Sequence, residues 1–274
     1  MAIKRCCKGN RVQGVPPQWQ HLHLGRAGWI ATLTLSRPPM NALSREMVKE
    51  LAKSAEVLAG DEGVSVVLIR SDQRHFCVGA DLKEREGIED EQVTEVVSAI
   101  RDCFNAIAHL PQPTIAAVHG SAVGGGAELA LACDLRIIAE DARFGFSEVS
   151  LGIIPGAGGT QHLPRLIGPS RAKELIFSAK ILNGLECREW GLADRVVPAA
   201  ELDHQAARFA AELSINAPLA LRAAKRAILR GLELPWEEAL EAEGQAYDGL
   251  VSSQDRIEGL KAFLEKRKPG WRGR

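Results

Sequence analysis

Two glutamates and two glycine clusters share the stretch Gly120–Thr160, and their order is suited to proton transfer. Gly124, Gly125 and Gly126 stand in a row and run into AELALAC (127–133), which has the composition of a short buried helix. Glycine lets a backbone approach a ligand closely and adopts positive φ without steric cost. The N–H groups at a helix start lack intrahelical acceptors, so they are ready donors to an anionic oxygen. Glu128 follows the last of these glycines by two residues. Glu148 comes twenty residues later, ahead of a second glycine-rich turn, GIIPGAGG (152–159). A donor-rich loop between two carboxylates is what proton transfer beside a developing oxyanion requires.

Each part also has a plainer reading. The glycines could form a tight turn under a packed helix, and a lone glutamate is usually solvated. Glu128 resists that reading because its neighbours, Ala127 and Leu129 to Cys133, are all apolar. The glycine spacing is not GxGxxG, and no acidic residue ends a following strand, which argues against a dinucleotide site. His75, His109, His119 and His162 have no serine or cysteine partner at a recognisable spacing. Cys77 has nothing nearby in sequence to lower its pKa, so it does not read as a nucleophile. The six cysteines (6, 7, 77, 103, 133 and 187) form no CxxC pair and no zinc-like group with histidine, so no metal site is expected. Cys103 and Cys133 read as small core residues. No secretory signal is recognisable, and reduced thiols in an intracellular compartment are expected.

The elements that must position these groups follow from patterning. WQHLHL (19–24) and WIATLTL (29–35) read as a hairpin across a Gly25–Gly28 turn, and SRPPMNALS (36–44) is turn chemistry. Residues 45–60 place Met47, Val48, Leu51, Ala55 and Leu58 on one helical face, with Ser44 as N-cap and Gly60 just past the end. VSVVLIRS (64–71) and PTIAAVHG (113–120) read as buried strands, separated by the loop 76–86 and a polar helix over about 91–110. Short strands are expected at 134–141 and 142–146. From Pro169 onward the pattern is helical, over roughly 170–179, 185–190, 199–215, 218–231, 235–252 and 254–267. The reading is α/β: a β/α body over 19–198 and a helical region over 199–274. Residues 1–18 are basic and acid-free, a leader or a targeting remnant.

Composition bounds the function. At 274 residues with 46% hydrophobic content, the chain is long enough for one large globular domain. Its 34 basic and 35 acidic residues give a net charge of −1, which argues against coating nucleic acid or an anionic membrane. No apolar run reaches the roughly 18 residues that span a bilayer.

Three segments carry a resemblance: HFCVGADLKERE (75–86), PTIAAVHGSAVGGGAELALACDLRIIAE (113–140) and FSEVSLGIIPGAGGTQHLPRLIG (146–168). In order and spacing they are similar to the signature of the crotonase (enoyl-CoA hydratase/isomerase) superfamily, over nearly the whole chain from about Trp19 to Trp271. The resemblance implies a crotonase-like spiral of ββα units with C-terminal helices that mediate oligomerisation, as a trimer or hexamer. It implies an acyl-CoA thioester as ligand, with no cofactor beyond the coenzyme A of the substrate. The oxyanion donors would be the backbone N–H groups of Ala80 and Gly125. Glu128 and Glu148 match both carboxylates of the two-glutamate hydratases, Glu128 activating water toward C3 and Glu148 protonating C2. Val78, Gly79, Asp81, Leu82 and Lys83 would contact coenzyme A. Phe263 and Lys266, in AFLEKRKPGW (262–271), would do so from a neighbouring subunit. For each lysine a solvated helix end remains an equal reading. Val78 replaces the family's usual alanine, and Ser147 stands where proline is common.

The resulting expectation is a hydratase of 2-enoyl-CoA thioesters in the cytoplasm of a bacterium, or alternatively in the mitochondrial matrix. Isomerisation or a branched-substrate (methylglutaconyl-type) hydration on the same fold is the nearest rival. RNA binding is the rival of another class, because one hydratase relative binds AU-rich RNA through a lysine-rich helix. The matching helix here balances Arg45, Lys49 and Lys53 against Glu46, Glu50 and Glu56, which argues against it.

Overall fold

A hairpin begins the part of the chain, residues 19–274, that the computed structural model describes; the basic leader lies outside it. β1 (Leu22–Ala27) and β2 (Ile30–Leu35) pair antiparallel with Ala27 opposite Ile30, so the turn falls at Gly28–Trp29. Expected at Gly25–Gly28, it is displaced because Gly25 pairs with Thr32 inside the ladder, while Gly28 takes the φ of +58° that the turn needs. α1 (Arg45–Gly60) starts where Ser44 accepts a hydrogen bond from the Met47 N–H, a cap worth about 1 kcal/mol. It buries the five apolar residues of the expected face, and Gly60 is its last helical residue. Glu50 is a correction: it is only 7% exposed and accepts the N–H groups of Gln20 (2.7 Å) and His21 (2.9 Å). The outer face of α1 therefore pairs Lys49 with Glu46 and Lys53 with Glu56, without Glu50.

Beyond α1 the chain repeats one plan. β3 (Val66–Ser71) leads through a loop to α2 (Leu82–Arg85) and α3 (Asp90–Ala108). Next come β4 (Thr114–Val118), β5 (Ser121–Val123) and α4 (Gly125–Ala132), then β6 (Leu135–Ala139), β7 (Arg143–Gly145) and, after a 3-10 turn at Glu148–Leu151, α5 (Gly159–Ile167). α6 (Pro169–Phe177), β8 (Ile181–Asn183), α7 (Gly184–Trp190) and β9 (Arg195–Val197) complete the body. In the units built on β4 and β6 the first strand enters a six-stranded sheet ordered β1-β2-β3-β4-β6-β9, parallel except for the hairpin. The second enters a small sheet ordered β5-β7-β8, which Cys77 extends by bridging to Ala122. The result is a spiral of strand–strand–helix units. β5, β8 and β9 are three residues each, too short for a period-2 pattern, and α5 carries Pro164 inside and glycine at its start, which hid it from sequence patterning.

The core lies between the large sheet and its helices, with Phe76, Phe104, Phe144, Phe146 and Met47 fully buried. Apart from Glu128, α4 is apolar, and it is buried from Gly126 to Ala132, as a helix in the centre of a large core must be. α8 (Leu202–Ser214) packs on β2, β3, β4 and β6. α9 (Pro218–Gly231), α10 (Trp236–Val251) and α11 (Gln254–Leu264) follow. Lys225 of α9, 8% exposed, anchors this group by donating to Asp134 Oδ2 (2.7 Å) and the Gln112 carbonyl (3.1 Å). A buried ammonium is tolerable only when so paired. No helix among the described residues is long and apolar enough to cross a membrane.

Candidate active site

Glycine is demanded where the loop after β3 meets the start of α4. A Cβ on Gly79 would stand 3.0 Å from the Val123 carbonyl oxygen and 3.1 Å from the Gly125 nitrogen, and Gly79 has φ +86°. A Cβ on Gly126 would overlap the Cys77 carbonyl. The two backbones, 77–80 and 123–126, are thus in direct contact, with Ala80 N only 3.8 Å from the position a Cβ on Gly125 would take.

Planar trans peptides then fix where the donors point, because C=O and N–H of one peptide face opposite ways. The Gly79 carbonyl accepts the Leu43 N–H at 2.8 Å, so the Ala80 N–H turns away from Leu43. The Gly124 carbonyl accepts the Glu128 N–H at 3.0 Å, so the Gly125 N–H projects from the open end of α4. Among the described residues neither N–H has a backbone acceptor. Two such donors side by side at a helix start can receive one developing oxyanion.

Glu148 stands against this turn, and Glu128 belongs to the first turn of the helix it opens. Glu128 is 3% exposed, and helical side chains lean toward the helix N-terminus, here toward Gly124. Its Oε1 accepts the N–H groups of Ala157 (2.8 Å) and Gly159 (2.9 Å), so the second glycine turn holds it. Gly159 has to be glycine, since a Cβ would meet Pro155, Phe146 and Glu128 Oε1 at 2.8, 2.9 and 3.1 Å. Glu148, half-buried at the head of the 3-10 turn, brings its Oε1 to 2.8 Å from where a Cβ on Gly124 would sit. Gly124 has φ +54°, so a side chain there is excluded twice over.

The remaining expected residues divide. Val78, half-buried, and Gly79 lie in the loop beside the donors. Burial works to raise the Asp81 carboxyl, but Arg37, by hydrogen bond and charge, and the N–H groups of Lys83 and Glu84 together hold it below the usual range. Asp81 is engaged by Arg37 at 2.7 Å and caps α2, whose Leu82 (61% exposed) and Lys83 face outward. Phe263 is 82% exposed at the end of α11, and among the described residues no backbone hydrogen bond links it or Lys266 to the 77–83 loop. The C-terminal tail packs where a Cβ on Gly273 would meet Trp29 and the Glu62 carbonyl, beyond the far end of α1, whereas Leu43 and Ala80 bridge at its near end. The length of α1, about 24 Å for its 16 residues, lies between.

Cys77 lies beneath the loop, and burial pushes its thiol up to about 12, so it stays protonated. His119 bonds the Gln73 carbonyl through Nε2 (2.7 Å) and His109 bonds the Asn105 carbonyl. Burial, then the charges of Arg165, Arg136 and His109, lower His162. Among the described residues no group of three His, Cys, Asp or Glu side chains could hold a metal ion. Sequence patterning missed Asn41 and Arg37, which bind the donor loop from outside; the signal was a short polar turn indistinguishable from any other.

Comparison with known proteins places the geometry. The family model described as enoyl-CoA hydratase/isomerase matches residues 25–274. The "Probable enoyl-CoA hydratase 2, mitochondrial" of Arabidopsis thaliana is 43% identical over 275 residues, covering 99% of this chain and 91% of its own length. The mitochondrial methylglutaconyl-CoA hydratase of Mus musculus is 47% identical over 238 residues, covering 85% of this chain and 76% of its own. The crystal structure of an enoyl-CoA hydratase from Bacillus anthracis superposes with a TM-score of 0.91 at 43% identity, covering 93% of this chain and all (100%) of that one.

Proposed function

The chain belongs to the enoyl-CoA hydratase/isomerase (crotonase) family, and from that premise we propose that it adds water across the C2=C3 bond of a 2-enoyl-CoA to give a 3-hydroxyacyl-CoA. The observation that carries this reading is that Glu148 Oε1 stands against Gly124, beside the projecting Gly125 N–H, while Glu128, in the first turn of the helix that Gly125 opens, is held by the second glycine turn. The thioester carbonyl oxygen sits between the N–H groups of Ala80 and Gly125. Glu128 takes a proton from water as its oxygen bonds to C3. The C2=C3 electrons move toward the thioester, and the enolate oxygen is held by the two donors, each worth roughly 2.7–4 kcal/mol in comparable sites. Glu148 then supplies the proton to C2. Proton return from Glu128 to Glu148 resets the pair, so the atoms of one water are added and nothing else is consumed. Fixing Glu128 by two backbone N–H groups leaves its orientation little to reorganise during the reaction.

Coenzyme A is bound by the Val78–Lys83 loop, with Phe263 and Lys266 supplied by a second copy of the chain. The exposed apolar residues of α9–α11, among them Ile228, Leu232, Trp236 and Tyr247, support a trimer or hexamer and a C-terminal region (199–274) whose task is assembly. Hydration of a branched, methylglutaconyl-type substrate is the second reading, favoured by the 47% identity to the mouse enzyme of that name. A panel of linear and branched 2-enoyl-CoA thioesters, followed by loss of the enoyl absorbance, separates the two. Loss with no member of the panel would overturn both and leave isomerisation.

A further inference from the structure

The Ala80 donor is aimed from outside the site, and we infer that Asn41 is the positioning residue that aims it; this rests on the reading of Ala80 as an oxyanion donor. Asn41 is fully buried and has φ +52°, a left-handed conformation that asparagine tolerates better than other side-chain-bearing residues. Both donors of its amide are used. Oδ1 accepts the Arg37 N–H (2.7 Å), while Nδ2 faces Ser71 Oγ (2.7 Å), the Phe76 carbonyl (3.0 Å) and the His75 carbonyl (3.1 Å). Ser71 ends β3, and His75 and Phe76 lie just upstream of Val78–Ala80.

One side chain therefore joins the end of a central strand to the root of the donor loop. Two residues on, Leu43 completes the attachment: its N–H holds the Gly79 carbonyl (2.8 Å), and its carbonyl accepts the Asp81 N–H (3.1 Å). Arg37, four residues before Asn41, grips Asp81 (2.7 Å) and the Ala42 carbonyl (2.9 Å). The turn 37–43 and the loop 75–81 are thus fastened at three levels, and the middle one sets the plane of the Gly79–Ala80 peptide. If the Asn41 amide is lost, Leu43 is no longer held in register with Gly79, and the Ala80 N–H loses its aim.

Asparagine is the residue this position requires. Aspartate would set a buried carboxylate against two carbonyl oxygens. Glycine would keep the backbone conformation and lose every side-chain bond, which makes Asn41→Gly the informative variant. Misplacing a catalytic group by about 1 Å costs on the order of 10²-fold, so Asn41→Gly should lower kcat by roughly 10- to 100-fold with KM little changed. A readout that packing alone would not move is the infrared carbonyl band of bound butanoyl-CoA, isotope-labelled at its thioester carbon. That saturated ligand cannot be hydrated. In the wild-type protein the two donors should lower the band relative to free ligand, and in Asn41→Gly it should return toward the free position. Ser71→Ala, which removes one partner of the amide and of the His75 carbonyl, should move it the same way to a smaller extent. A wild-type band position in both variants, whatever happens to kcat or Tm, overturns the inference and leaves Asn41 a fold-stabilising clamp. If the wild-type protein hydrates no enoyl-CoA yet the band shifts in the variants, the hydratase reading fails and the positioning role stands.

Discussion

Replacing Glu128 by alanine and by glutamine should separate its two tasks, because its Oε1 is the acceptor for two buried backbone N–H groups as well as the proposed base. Glu128→Gln keeps an amide oxygen able to accept from Ala157 and Gly159, now 2.8 and 2.9 Å away, and loses only the proton chemistry. Glu128→Ala removes the acceptor and strands both donors. Each stranded buried group costs about 1–3 kcal/mol, so the alanine variant should be less stable than the glutamine variant by about 2–6 kcal/mol. Both variants have lost the carboxylate, so their difference reports the lost acceptor together with the packing that alanine gives up. Against a total stability of about 5–15 kcal/mol that difference is large, and at roughly 2–4 °C per kcal/mol it is easily read as a Tm. Both should lose about 10²- to 10⁴-fold in kcat. Calorimetric Tm values and initial rates on the same preparations provide the assay. Equal Tm values for the two variants would refute the claim that this carboxylate holds the second glycine turn in place.

Gly126→Ala should destabilise by about 1–3 kcal/mol despite the better helix propensity of alanine, because its methyl overlaps the Cys77 carbonyl, itself tied to the Val123 N–H; an unchanged or raised Tm would contradict the packing described. Burial pushes the Cys77, Cys103, Cys133 and Cys187 thiols from 9.0 up to about 12. The unfolded chain gives up these protons first, so the stability they confer is complete below about pH 9 and is lost as pH rises toward 12, by up to about 1.4 kcal/mol per pH unit per thiol. Denaturant midpoints that hold constant from pH 8.5 to 10.5 would contradict this. Light scattering at micromolar concentration should report a trimer or hexamer, and a clean monomer would remove Phe263 and Lys266 from the site. AU-rich RNA should bind weakly in filter assays at physiological salt, since Lys49 and Lys53 of α1 are already paired; a tight complex would refute that.

How much of this was legible in the sequence depended on the range of each signal. α1 could be read to the residue at its start, because a five-residue apolar face and a serine cap are local features. The buried strands β3 and β4 were plain too, with ends off by up to two residues. The spiral was not: its second strands are three residues long, and what defines them is pairing with chain far away, as Cys77 does with Ala122. Glu50 looked solvated in a charge-balanced helix, and only the N–H groups of Gln20 and His21, 30 and 29 residues distant, explain why it is buried. Glu128 and Glu148 stood out because an apolar helix and two glycine turns flank them. The reason each glycine is needed, a particular atom within about 3.1 Å of its missing Cβ, is visible only in three dimensions. Asn41 gave no signal, since the acceptors of its Nδ2 lie 30 to 35 residues on.

The division of labour between the two glutamates is tested most directly by following deuterium at C2. Wild-type protein, Glu128→Gln and Glu148→Gln are each incubated in D₂O with a 2-enoyl-CoA, and with a saturated acyl-CoA that can only exchange, and the acyl-CoA is analysed by mass spectrometry. Wild-type protein should place one deuterium at C2 of the 3-hydroxyacyl product. Glu128→Gln should hydrate about 10²- to 10⁴-fold more slowly and still exchange C2 of the saturated ligand, whereas Glu148→Gln should lose both reactions. Near-wild-type deuterium incorporation with Glu148→Gln, or full hydration by either variant, would contradict the assignment of the proton donor and the base.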